Sequence, residues 1–170
     1  MSTKIMAFDQ TLANCGWVSV LINDGELWPI ESGTIKGQWL DAGMLEPVRE
    51  AVVLREMASA FMVREFPSLI LLELPPIRRP GMERESSLLG AVAVSMAAAD
   101  HGLTVVGVSA QKAKRELTGF ANAKKPLVRQ AVQERWPEYT KLLTNEHQRD
   151  AWVLAWYWWN HERTAKDGVR

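Results

Sequence analysis

The 170-residue chain has one cysteine, Cys15, which excludes an internal disulfide and a zinc site built from cysteines. Long apolar runs are missing. Nothing approaches the roughly 20 residues that a membrane helix needs, and Met1-Ser2-Thr3-Lys4 leads into a strand pattern without the apolar stretch of a secretion signal. A cytoplasmic protein that does not enter membranes is expected. Net charge is missing too, since 20 basic and 20 acidic residues cancel. That argues against a basic protein that coats nucleic acid, yet leaves room for a basic face beside an acidic site. No internal repeat, low-complexity tract or linker divides the chain, so residues 1–170 read as one domain with a sizeable core.

What is present in excess is tryptophan, eight residues in all, with Trp152, Trp156, Trp158 and Trp159 in one C-terminal segment. Core or interface packing is their ordinary use. The pattern from Lys4 to Asn23 predicts two strands joined by a turn at Leu12–Gly16, with Asn14 and Gly16 as turn residues. Asn23-Asp24-Gly25 makes the next tight turn, into a third strand over Glu26–Lys36. Apolar residues at helical period run from Glu46 to Phe66, and a short apolar strand covers Ser68–Leu74 until Pro75-Pro76 stops it. Ser87–Asp100, rich in Leu, Ala, Val and Met, is expected to be a helix buried nearly all round. A strand over Leu103–Val108 and helices over Pro126–Trp136 and Asn145–His161 complete the order βββαβαβαα. An α/β fold, a mixed sheet with helices on both faces, satisfies it.

Three acids interrupt this pattern. Asp9 ends the apolar run Ile5–Phe8, Glu73 ends Leu69–Leu72, and Asp150 opens Ala151–Trp156. A carboxylate in such a setting costs several kcal/mol unless it is paired. Three of them suggest one converging site neutralised by a divalent cation. His147 precedes Asp150 by three residues and shares its helix face. Two ions about 3.5–4 Å apart need a bridging carboxylate and several further oxygens, which Asp and Glu supply, with one imidazole to complete the set. Each residue also has a plainer use: Asp9 as a turn acid, Asp150 as a partner of Arg149 or Arg129, His147 as a helix-start residue. Glu146 reads as a first-turn acid that favours the helix dipole. Thr11 serves equally as a turn hydroxyl or as a group that orients a ligand.

The ordered motifs carry a resemblance. Ala7-Phe8-Asp9-Gln10-Thr11 followed by Gly16-Trp17, then Leu71-Leu72-Glu73, then His147-Gln148-Arg149-Asp150-Ala151 is similar to the succession of acidic motifs in the RuvC family of Holliday-junction resolvases. Thr118–Lys125 resembles that family's glycine-containing loop before a basic helix. The resemblance spans about Lys4 to Trp158 and implies an RNase H-like fold, a homodimer and nicking of branched DNA. The substrate would be a Holliday junction or a flap. Carried over, Asp9, Glu73, His147 and Asp150 would be catalytic metal ligands for two Mg²⁺ or Mn²⁺ ions. One departure stands out. Where the family offers an aromatic after its second acid, this chain has Pro75-Pro76-Ile77-Arg78-Arg79-Pro80, which fits a diverged, phage-type member with broader substrate tolerance.

Basic residues form two groups suited to phosphates, or to a solvated face: Arg78, Arg79 and Arg84 after Glu73, and Lys112, Lys114, Arg115, Lys124, Lys125 and Arg129 further on. Lys114 and Lys125 match the family's basic positions best. Two other functions remain open: a binding module that holds branched DNA without cutting it, and an actin-like nucleotide-binding fold. The latter ordinarily needs a larger chain and a glycine-rich phosphate loop, and neither is present.

Overall fold

A computed structural model describes residues 2–36, 46–74 and 82–166. Strands β1 (Thr3–Asp9), β2 (Asn14–Asn23) and β3 (Glu26–Lys36) form an antiparallel meander. Helix α1 (Glu46–Glu65) leads to β4 (Leu69–Glu73), and α2 (Met82–Asp100) leads to β5 (Thr104–Val108). Both later strands lie parallel to β1, giving the sheet order β3-β2-β1-β4-β5. Three helices follow: α3 (Ala110–Thr118), α4 (Lys125–Arg135) and α5 (Glu146–Lys166), with a 3₁₀ turn at Pro137–Lys141. The order differs from the sequence expectation by one added helix, α3. Its apolar stripe is narrow, with Ala113 buried and Ala110 and Leu117 packed against the core among polar residues.

Period-two alternation in β1 divides the core. Ile5 and Ala7 face α3, α4 and α5 across a cluster with Val18, Val20, Leu71, Val128, Val132 and Trp152. Met6 and Phe8 face α1 and α2 with Trp17, Leu54, Ile70, Leu72 and Val94. Trp152 is fully buried, with Trp136 and Tyr139 meeting it edge-on at ring separations of 5.4 Å. The hairpin between β2 and β3 turns at Asp24 and Gly25, with φ of 50° and 83°, a backbone that Asp and Gly tolerate.

Two expectations are corrected. β2 already begins at Asn14, so Gly16 is a strand residue opposite Asp9 rather than a turn residue. Helix α2 is not buried all round. Ala93, Val94, Ala97 and Ala98 pack inward, while Leu88, Leu89, Val92 and Met96 are exposed to solvent. No helix among the described residues is long and apolar enough to cross a membrane.

Candidate functional site

The alternation that sorts the core also aims the acids. Asp9 follows Ile5 and Ala7 on the α5 side, and Glu73 follows Leu69 and Leu71 on the same side of the neighbouring parallel strand. Both therefore stand at the carboxyl ends of adjacent central strands, where ligand sites of open α/β sheets collect. The two carboxyl groups are close enough for each to act on the other's charge.

Helix α5 brings the rest. Its start is a capping box: Asn145 Oδ1 accepts from the Gln148 backbone N–H at 3.0 Å, and Gln148 Oε1 accepts from the Asn145 N–H at 3.1 Å. Asn145 Nδ2 also donates to Thr34 Oγ1 on β3 at 2.9 Å, fixing this end of the helix to the sheet. His147 then meets Asp9, Nδ1 to Oδ2 at 2.8 Å. The approach is close because residue 16 has no side chain. A Cβ there would lie 2.2 Å from the His147 carbonyl carbon. Asp150, about one turn on, is held by Lys114 of α3 at 2.9 Å.

Crowding of like charges governs the electrostatics. Burial, followed by the Asp9 carboxylate, pushes the Glu73 carboxyl up to about 8. Burial also raises Asp150, with Lys114 opposing and Asp9 adding to the shift. The hydrogen bond that His147 donates to Asp9 raises its pKa against the effect of burial. For Lys114 burial disfavours the charge, but Asp150, Glu73 and Asp9 outweigh it and raise its pKa.

Among the described residues, no three His, Cys, Asp or Glu side chains are already gathered around an ion position. The donors are paired off instead, Asp9 with His147 and Glu73, Asp150 with Lys114. Their chemistry fits a hard divalent cation. Carboxylate oxygens and one imidazole share a buried pocket in which desolvation and the Asp9 carboxylate push Glu73 up to about 8.

The structure brings Asp9, Glu73, His147, Asp150 and Lys114 together, and places Lys125 at the rim, where its ammonium binds Glu146 next to His147. Lys112 and Lys124 are exposed near the two ends of the α3–α4 segment. Arg78 and Arg79 lie outside the described residues. Thr11 is a turn hydroxyl, donating to the Asn14 carbonyl at 2.7 Å. Gln10 is a residue whose part the sequence did not reveal. Fully buried, it accepts from the Glu73 N–H at 3.0 Å and donates to the Glu73 carbonyl, clamping β4 to β1 beneath the acids. Arg149 and Arg129, the partners the sequence offered for Asp150, instead line a cleft of about 280 Å³ with Lys125 and Glu146.

No protein-family model and no curated protein sequence matches the chain. Solved structures do. RuvC of Thermus thermophilus aligns with a TM-score of 0.70 at 16% identity, over 98% of this chain and 98% of that one. The same protein in complex with a Holliday junction substrate gives 0.73 at 17%, over 98% and 97%. A yeast mitochondrial Holliday junction resolvase gives 0.67 at 11%, over 97% and 82%. The chain therefore has the RNase H-like fold of RuvC-type resolvases.

Proposed function

We propose that the protein is a metal-dependent, structure-selective endonuclease that nicks Holliday junctions or other branched DNA in the cytoplasm. The observation that carries this reading is the convergence of Asp9, Glu73 and His147 at the ends of two parallel strands, with Asp150 one helical turn away. A buried site in which crowded carboxyls push Glu73 up to about 8 would be relieved by a cation, and the likeness to a resolvase solved with a Holliday junction substrate supports a branched DNA substrate.

Asp9, Glu73, His147 and Asp150 would hold two Mg²⁺ or Mn²⁺ ions. When bound, such ions would activate water and stabilise the leaving oxygen of a phosphodiester. Asp9, in contact with His147 and acting on Glu73, would be a shared member of the ligand set. Glu73 would give up its proton on joining that set. His147, held at Nδ1 by Asp9, directs Nε2 toward Glu146 at 3.6 Å, where it can serve as a ligand or carry a proton. Lys114 exchanges Asp150 for a phosphate oxygen of the strand being cut. Lys112, Lys124, Lys125, Arg78 and Arg79 hold flanking phosphates, and Arg149 and Arg129 add to that surface.

A four-way junction has two-fold symmetry and calls for two sites. The exposed apolar row on α2, Leu88, Leu89, Val92 and Met96, suits contact with a second copy. We assign the homodimer seam there.

One observation favours a second reading. Lys114 already neutralises Asp150, as it would in a module that binds branched DNA without cutting it. Cleavage of a labelled four-way junction, a flap and a linear duplex in Mg²⁺, Mn²⁺ or chelator separates the two. The nuclease nicks branched substrates in metal only, and Asp9→Asn slows nicking by more than about 100-fold. Tight junction binding without nicking by either protein would establish the binding module.

A further inference from the structure

The segment between α3 and α4 is tied to the acids at both ends. Lys114, in the middle of α3, bonds Asp150, and Lys125, the first residue of α4, bonds Glu146. Its backbone is fixed in between. Gly119 is left-handed at φ 81° and donates its N–H to Arg115 O at 2.8 Å. Thr118 Oγ1 donates to Lys114 O at 2.7 Å and accepts the Phe120 N–H at 3.2 Å. The Ala123 N–H returns to Phe120 O at 3.2 Å.

On this ordered loop the ring of Phe120 is 65% exposed. It stands in a shallow cleft of about 700 Å³ with Arg115, Asn122, Lys124, Pro126 and Leu127. Trp28 and Phe66 are also exposed, at 47% and 81%. Phe66 precedes β4, at the end of the sheet opposite Glu73, and Trp28 lies on the outer strand β3. Phe120 thus pairs an exposed ring with cations on the loop whose flanking lysines, Lys114 and Lys125, bind Asp150 and Glu146.

We propose that Phe120 is a stacking platform for an unpaired base beside the phosphate to be cut, with Arg115 and Lys124 on the adjoining phosphates. The proposal rests on the nuclease reading and adds to it the means by which the site prefers branched substrates. An aromatic face flanked by basic groups accepts any base that has left its stack, whereas a base paired in a duplex keeps its own neighbours. Branch points and flap bases offer such bases. The ring chooses strand state, not sequence.

The test uses the full chain carrying Asp9→Asn, so that binding is read without cleavage, and a junction with 2-aminopurine at the branch point. Binding is expected to change the 2-aminopurine emission. Adding Phe120→Ala abolishes that change and weakens junction binding on the order of 10-fold, while Phe120→Trp retains both. In the cleaving protein, Phe120→Ala raises KM for the junction with a smaller effect on kcat. Equal emission and equal affinity with Phe and Ala at residue 120 would overturn the proposal while leaving the nuclease reading intact. Altered self-association in Phe120→Ala, with unchanged junction binding, would assign the ring to a protein contact and overturn it as well. If the wild-type chain neither binds nor cuts branched DNA, both readings fall.

Discussion

The two faces of the sheet are built from the same strands and do different work. On the α5 side, β1 presents Ile5, Ala7 and Asp9, and the apolar core ends in a pocket of acids and cations. On the α1–α2 side the same strand presents Met6 and Phe8, with Gln10 just beyond it, and the buried charge there, Glu65 paired with Lys4 and Arg64, sits at the opposite end of β1. On this side the outer surface of α2 is apolar. The proposed chemistry belongs where the sheet face ends in carboxylates, and the proposed assembly where the covering helix has apolar residues left over. One residue step along a strand separates the two roles. Gln10, next to Asp9 but on the opposite face, supports the site through the Glu73 backbone and contributes no charge.

If the faces are separate, they break separately. The largest effect is expected from a crossed pair of substitutions. Asp9→Asn abolishes nicking, by more than about 100-fold, and leaves the molecular mass in solution unchanged. Met96→Glu buries a charge in the proposed seam and shifts the protein toward monomer, with the Asp9 pocket intact. Analytical ultracentrifugation and nicking assays on both variants check this, and a mass change in Asp9→Asn would join what the comparison separates.

Gly16→Ala tests how closely α5 must approach β2. The added Cβ meets the His147 backbone at 2.2 Å, so the helix start has to shift. The expected loss is about 1–3 kcal/mol in denaturant unfolding, with weaker divalent-ion binding. The smallest effect is expected from Asn145→Ala, which removes the cap of α5. About 1 kcal/mol of stability should go, read as a lowered Tm, with a modest loss of nicking as His147 and Asp150 lose their anchor.

The acids were legible in sequence because each interrupts an apolar run, and the parallel pairing of β1 with β4 follows from the strand order. Other parts were not, for physical reasons that differ. Helix α3 has only a narrow apolar stripe, Ala110, Ala113 and Leu117, in a short run of polar residues, and was missed although it delivers Lys114 to Asp150. Gln10 bonds backbone groups 63 residues away, a relation only the register creates. Gly16 reads as a turn residue until the path of α5 shows what its missing side chain makes room for. Composition marked α2 as apolar but could not say that half of its surface faces outward.

The central claim is that the pocket between β1, β4 and α5 is built for divalent cations. Crystals soaked in Mn²⁺ and measured at the manganese absorption edge test it most directly. The account predicts anomalous peaks among the oxygens of Asp9, Glu73 and Asp150 and the His147 ring, with Lys114 displaced from Asp150, and no peaks there in Asp9→Asn. An empty pocket at millimolar Mn²⁺, with Lys114 still on Asp150, would contradict it.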